Sequence, residues 1–359
     1  MKREVVAGIR LDALRHNLGV VRRLCPSSRI VAMVKANAYG HGLLPVAEAL
    51  SAAGVDALGV AVIDEALALR AAGISAPVIV MEGAFSTDEV AAAAARDIAL
   101  VVYRDEQVAM LCDGGADVSG LEVWLKIETG MHRLGLPAAQ ADVAVEKLRS
   151  RVRRLGVMTH FACADEAGHP LTPVQLDLLK RFAQRHALPA SAANSGAIVA
   201  CPAARLDDVR PGIMLYGGAP VIGQDAAAFG LQPVMTLSAR VIAVNDVPEG
   251  EAVGYGCTWR AARDSRIAVV GIGYGDGYPR HAPSGTPVLV GGHRRPLAGR
   301  VSMDMITVDV TGLPGVGVGD PVVLWGEGLP ADEVARNVGT ISYELFCRLT
   351  SRVRFVYAR

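Results

Sequence analysis

The chain has 359 residues, 51% of them apolar and 20% charged, with 36 basic side chains balanced by 36 acidic ones. That composition is ordinary for a globular enzyme and long enough for one large domain plus a smaller one, and the balanced charge gives no pull toward nucleic acid or an anionic membrane. Six widely spaced cysteines (Cys25, Cys112, Cys163, Cys201, Cys257 and Cys347) include no Cys-x-x-Cys pair, which argues against a metal centre or a disulfide framework.

The start, Met1 to Val6, has no apolar core of signal-peptide length, and no stretch approaches a membrane span, so a cytoplasmic location is expected. An N-terminal strand is predicted over 4–9, followed by an amphipathic helix over 11–24 with Leu11, Leu14, Leu18 and Val21 on one face. Short apolar runs then alternate with helical patterns. Strands are predicted at 30–34, 57–63, 78–81, 99–102, 122–127, 155–160, 189–193 and 207–210. Helices fall between them at 43–53, 64–72, 86–96, 105–113, 137–150 and 172–187. Strand alternating with helix argues a parallel sheet, and eight such strands in this span suit a closed (β/α)8 barrel.

Beyond Gln232 the texture changes. The runs 238–245, 266–272, 287–290, 306–310 and 321–324 are β-rich and separated by Gly- and Pro-containing turns. They read as a mostly antiparallel second domain. The expected division is an α/β barrel over 10–230 and a β-rich domain over 231–359 that also takes in residues 1–9.

In a (β/α)8 barrel the chemistry sits at the carboxyl ends of the strands. Lys35 stands at the end of the first predicted barrel strand, Lys126 at the fifth with Arg133 seven residues on, and His160 at the sixth. Asn194-Ser195-Gly196 follows the seventh and Arg210-Pro211-Gly212-Ile213 the eighth. A lysine at the mouth of a buried strand is costly unless its amine is used, either in an ion pair or as a nucleophile that captures an aldehyde. Small residues with accessible amides after strands seven and eight have the character of a phosphate site. A phosphate site beside a reactive lysine points to pyridoxal 5′-phosphate.

These residues carry a resemblance. VKANAYGHG around Lys35, KIETGMHRLG around Lys126, THFACAD around His160, the Asn-Ser pair at 194–195 and VRPGIMLYG around Arg210 are similar to bacterial alanine racemases. GYG around Tyr255, GYGDGYPR around Tyr274, GRVSMDM around Met303 and ISYE around Tyr343 extend the similarity through the second domain. It covers nearly the whole chain in consistent order. Departures are small: Gly275 stands where alanine is frequent, and Cys163 and Cys257 sit beside expected site residues.

The resemblance implies an isomerase that interconverts L- and D-alanine with pyridoxal 5′-phosphate and supplies D-alanine for peptidoglycan. It implies that Lys35 forms the Schiff base with the cofactor and serves as one base, while Tyr255 is the opposing base, reaching Lys35 across a homodimer interface. Racemisation needs acid/base groups on both faces of a planar centre, which one lysine does not easily supply. Tyr39, Ser195, Gly212, Ile213 and Tyr343 are implied to hold the phosphate end, Asn194 to belong to the cofactor site, and Arg210 to face the pyridine nitrogen, with His160 bonded to Arg210. A guanidinium there stays protonated and leaves the ring nitrogen neutral. Arg133 and the amide of Met303 are implied to bind the substrate carboxylate, and Lys126 to be carbamylated so that it positions Arg133 instead of repelling it. Asp165, Tyr274, Arg280, Arg300 and Ile341 match an entry corridor narrow enough to favour a methyl side chain. No metal is implied. The alternatives are a related barrel-type racemase of broader specificity or a pyridoxal phosphate-dependent decarboxylase, which would be expected to place a carboxylate where Arg210 stands.

Overall fold

The computed structural model describes residues 3–358. β1 (Val6–Arg10) leads directly into the helix Leu11–Leu24. Leu11, Leu14, Leu18 and Val21 are buried along one stripe of that helix, with Asp12 in the first turn and Arg22 and Arg23 in the last, each complementing the helix dipole.

Eight parallel strands follow: β2 (Arg29–Met33), β3 (Ala57–Val60), β4 (Val78–Val80), β5 (Ile98–Val102), β6 (Glu122–Lys126), β7 (Arg154–Met158), β8 (Ala190–Asn194) and β9 (Asp208–Arg210). They pair in sequence order, and β2 pairs with β9 to close the barrel, with Arg29 opposite Asp208 and Ile30 opposite Val209. The expected closed α/β barrel is therefore present, each strand beginning within a residue of its predicted start. Helices connect the strands as a right-handed βα succession demands. Thr87–Ala94 shows the local chemistry: Ser86 accepts the Glu89 amide at 3.2 Å, while the Glu89 carboxylate accepts the Phe85 amide at 2.8 Å.

The barrel interior is packed rather than open. Val31, Ala57, Ile79, Ala99, Val101, Trp124 and Met158 form its apolar layer. Beneath it, Arg29, Arg154, Glu122 and Asp208 close the amino-terminal end. Arg154 meets Glu122 at 2.8 Å and Arg29 meets Asp208 at 3.3 Å, while the Trp124 indole donates to Glu122 at 2.7 Å. Burial pushes the Asp208 carboxyl up to about 6, against the pull of Arg29.

The second sheet is built from β10 (Met235–Val247), β13 (Ser265–Val270), β14 (Pro287–Val290), β15 (His293–Pro296), β16 (Ile306–Asp309), β17 (Pro321–Trp325) and β18 (Arg354–Ala358), with β11 (Ala252–Val253) and β12 (Trp259–Arg260) forming a separate ribbon. Its pairings are antiparallel except one. β1 lies between β10 and β18, antiparallel to the first (Val6 opposite Ser238) and parallel to the second (Val6 opposite Arg354). No helix among the described residues is long and apolar enough to cross a membrane.

Candidate active site

β2 ends at Met33, two residues before Lys35, where a turn rather than the strand itself carries the lysine. Ala36, Asn37, Ala38 and Tyr39 all adopt left-handed helical angles, with φ between 52° and 55°. Such a turn costs an L-residue roughly 1–2 kcal/mol, so it must be held from outside. Glu65 holds its start, accepting the amides of Ala36 at 2.7 Å and Ala61 at 2.8 Å through its two oxygens. Asn37 holds its exit: its side-chain oxygen accepts the Leu43 amide at 2.8 Å, and its carbonyl accepts the Gly42 amide at 2.9 Å. Gly42 has φ of 97°, and a Cβ there would lie 2.0 Å from the Tyr357 hydroxyl, so only glycine fits.

The turn aims Lys35 into a cavity of about 470 Å³ at the carboxyl mouth of the barrel. Lys35, Tyr39, Lys126, Arg133, His160, Asn194, Ser195, Arg210, Gly212, Ile213 and Tyr343 all line it. The strand ends place them: Lys126 closes β6, Arg210 closes β9, Asn194 closes β8, and His160 lies two residues past the end of β7.

Arg210 is buried and densely held. It donates to the Ser191 hydroxyl, to the carbonyl of Thr159 at 2.6 Å and to that of Ala192 at 3.2 Å. Its contact with His160 Nδ1, at 3.5 Å, is the longest of the set. His160 therefore plays the smaller part in fixing it. Burial pulls the guanidinium down to about 10, partly offset by Asp208, so it remains a cation at neutral pH. Burial, followed by Arg210 and Lys126, holds His160 well below its usual range and hence neutral.

The small-residue side of the cavity is a cradle of donors. Ser195 Oγ accepts the amides of Gly212 at 2.9 Å and Met214 at 3.4 Å, which draws the loop after β9 onto the helix Ser195–Ala200. Asn194 caps that helix, accepting the Ala197 amide at 3.0 Å. A Cβ on Gly212 would lie 2.4 Å from the Tyr39 hydroxyl, so glycine is what lets Tyr39 approach the loop. The Tyr39 ring stacks on Tyr216 at 4.8 Å and tilts against Tyr343 at 5.8 Å. Burial raises both the Tyr39 and the Tyr343 hydroxyls, which stay protonated donors.

The cationic side has few counter-charges. Burial, then Arg133, lowers the Lys35 amine, while Glu82 and Glu65 act in the other direction. Burial, then Arg210 and Arg133, drives Lys126 down to about 8.

Apart from Tyr343, the second-domain candidates, and Asp165 of the barrel, lie elsewhere on this chain. Tyr255, Met303 and Ile341 are 68%, 53% and 59% exposed, and Tyr274, Arg280, Arg300 and Asp165 are exposed as well. None of them lines the Lys35 cavity. Loops of the second domain nonetheless gather several of them. The amides of Tyr274 and Gly275 donate to the carbonyls of Ser302 and Met303 at 3.1 and 2.8 Å, and the Tyr255 turn packs against Arg300.

Residue-type reasoning overlooked Glu65, Glu82, Thr159 and Ser191. Glu82 follows β4 as Lys35 follows β2, so the strand-end rule applied evenly would have found it. No metal-binding cluster of three or more His, Cys, Asp or Glu side chains occurs among the described residues.

Residues 9–220 match the family model for the alanine racemase N-terminal domain, and residues 234–357 match that for the C-terminal domain. The biosynthetic alanine racemase of Pseudomonas aeruginosa is 48% identical over 353 residues, covering 98% of both chains. The alanine racemase of Thioalkalivibrio sulfidiphilus is 50% identical over 361 residues, covering 99% of both. The crystal structure of the biosynthetic alanine racemase from Pseudomonas aeruginosa superimposes with a TM-score of 0.96, at 47% identity over the whole of both chains. Two domain models in order, and identity near one-half across the full length, lead to one assignment. The chain belongs to the alanine racemase family and is an enzyme of that family.

Proposed function

We propose that this enzyme interconverts L- and D-alanine using pyridoxal 5′-phosphate bound in the barrel cavity, with Lys35 on one face of the substrate and Tyr255 of a second copy on the other. The observation that carries the reading is the convergence of Lys35, the buried Arg210 and the Ser195–Gly212–Tyr39–Tyr343 cradle on one 470 Å³ cavity. The donor set fits a phosphorylated pyridine aldehyde: a desolvated amine for the aldehyde, the Tyr39, Ser195 and Tyr343 hydroxyls for the phosphate, and a guanidinium for the ring nitrogen.

In this reading Tyr39, Ser195, Gly212, Ile213 and Tyr343 hold the phosphate, Asn194 lines the cofactor site, Arg210 faces the pyridine nitrogen with His160 beside it, and Arg133 faces the phenolic oxygen. When bound, the cofactor captures amines at its aldehyde and acidifies the substrate Cα–H by withdrawing electrons. Arg210 limits that withdrawal, because a group that remains cationic gives the ring nitrogen a hydrogen bond and no proton. The lowered affinity of Lys35 for its proton suits an amine that accepts one from Cα and returns it. Tyr255 performs the mirror task from the other face. Arg133 and the Met303 amide fix the substrate carboxylate.

Tyr255, Met303 and Ile341 are large side chains left in solvent on one chain, which supports a homodimer that covers them. Tyr274, Arg280, Arg300, Asp165 and Ile341 then border the entry. In this reading the enzyme supplies D-alanine for peptidoglycan in the cytoplasm; the likeness to a relative named as biosynthetic supports the direction of synthesis.

The test is a purified sample incubated with pyridoxal 5′-phosphate and dialysed. It is expected to be yellow and to convert L-alanine to an equal mixture of enantiomers, resolved by chiral chromatography. Lys35→Ala is expected to lose the long-wavelength absorbance. A colourless protein that leaves L-alanine optically unchanged overturns the proposal.

A further inference from the structure

Gln175 lies on the helix Leu171–His186, outside the barrel, yet its side chain is wholly buried. A buried amide is costly unless its groups are satisfied, and here they are. Nε2 donates to the Thr129 hydroxyl at 3.2 Å and to the His160 carbonyl at 3.1 Å, and Oε1 accepts the Ala162 amide at 3.0 Å. The chain of hydrogen bonds continues inward. Thr159 Oγ1 donates to the Ile127 carbonyl at 3.1 Å, so its 2.6 Å contact with Thr129 Oγ1 is one in which Thr129 donates. Every proton in the series then points the same way, from Gln175 through Thr129 and Thr159 to Ile127. Thr159 is fixed by its side chain, and its carbonyl is the acceptor that Arg210 meets at 2.6 Å. Thr129 and Thr159 are both buried.

We infer that Gln175 is a positioning residue for Arg210 and His160, acting through the buried Gln175–Thr129–Thr159 chain and through the His160 carbonyl. One side chain on an outer helix thereby ties together the segments after β6 and β7, which carry Arg133 on one side and His160 on the other. An apolar residue of similar size would fill the space, leave the side-chain partners of the His160 carbonyl and the Ala162 amide missing, and take from the Thr129 hydroxyl the donor it accepts, while its own bond to Thr159 remains. The inference rests on the reading that Arg210 faces the cofactor ring.

Two variants test it. Gln175→Leu removes the amide, and Thr129→Val breaks the chain to Thr159 while leaving the bonds of Gln175 to His160 and Ala162. In both holoenzymes kcat for alanine is expected to fall about tenfold with KM changed less than about threefold, the signature of a misplaced rather than missing group. The pH dependence of the bound cofactor's absorbance is expected to shift in both. In protein freed of cofactor, hydrogen exchange of the segment 160–163 is expected to accelerate in Gln175→Leu and not in Thr129→Val.

Variants that merely melt earlier, with kcat and the absorbance profile of wild type, overturn the inference and leave Gln175 a packing residue. If Gln175→Leu does not fold, Thr129→Val decides by the same criteria. Wild-type protein that binds no pyridoxal 5′-phosphate overturns the parent reading instead. In that case unchanged exchange of residues 160–163 in Gln175→Leu still overturns the positioning role, and faster exchange supports it.

Discussion

The carboxylate of Glu65 accepts the amide of Ala36, the residue immediately after Lys35, at 2.7 Å, and its second oxygen accepts the amide of Ala61 at 2.8 Å. A side chain from one βα unit thus fastens the left-handed turn of another, at the point where that turn presents its amine. Four left-handed residues oppose folding by roughly 4–8 kcal/mol in sum, so the fastening is a condition of the turn. Glu65→Ala is expected to destabilise the protein by about 2–3 kcal/mol in urea unfolding, since it strands two amides that had a charged acceptor. Glu65→Gln keeps one acceptor oxygen and is expected to lose less. A loss below about 0.5 kcal/mol for Glu65→Ala would show that the turn holds itself.

Tyr255 stands outside the cavity of its own chain, so its removal tests both the second base and the second copy. Tyr255→Phe is expected to cut kcat by about 10²–10⁴-fold. Exchange of the α-proton with deuterated water is expected to suffer mainly from L-alanine and to persist from D-alanine. Equal loss from both enantiomers would sink the two-face scheme. Dilution of the wild-type enzyme is expected to lower specific activity as sedimentation shows subunits separating.

Lys126 sits among cations, and burial with Arg210 and Arg133 brings its amine down to about 8. Near that pH a large share is neutral and able to add carbon dioxide, giving a carbamate and releasing a proton. The product is an anion beside Arg133, which reverses the local repulsion. Labelled carbon dioxide at pH 8 is expected to give a carbamate carbon signal that disappears in Lys126→Ala. Acidification to pH 6 is expected to reduce it, because the protonated amine is no nucleophile. A wild-type spectrum without the signal would leave Lys126 a plain cation.

His41 is wholly buried between Tyr216 and Phe346, with Nδ1–H donating to the Tyr39 carbonyl at 2.8 Å and Nε2 without a partner among the described residues. Burial holds its pKa down to about 4, so the folded state keeps it neutral. The unfolded chain binds the proton first as pH falls. The stability is therefore fully present above about 6.5 and is lost as pH drops toward 4, by about 3 kcal/mol if this group acts alone. His41→Gln has no proton to gain there, and its unfolding free energy is expected to vary less over that window. Parallel pH profiles for the two proteins would remove His41 from the acid response.

The barrel was legible because its strands are mostly short apolar runs alternating with helical patterns, and several charged or polar residues at their ends are too expensive together to be accidental. Lys35, Lys126, His160, Ser195 and Arg210 announced themselves in that way. The left-handed turn did not: two of its four residues are alanines, which carry no sign of a positive φ, and only Asn37 is a type that favours one. Ser191, Thr159 and Gln175 escaped notice for a different reason. Small hydroxyls and an amide inside strands and helices look like ordinary solvated or packing positions until their burial is known. Tyr255 and Met303 could be read only through resemblance, since their surroundings on one chain are solvent.

The salt-bridged floor of Arg29, Glu122, Arg154 and Asp208, together with the apolar layer above it, fills the amino-terminal end of the barrel among the described residues. The cavity is a cup with one rim, and whatever enters over that rim must leave over it. For most enzymes a shared entrance and exit sets product against substrate. For mirror-image molecules of equal free energy in water there is no downhill direction to protect. A single doorway serves both traffic streams, and the enzyme's task is only to hasten an exchange whose equilibrium constant is unity.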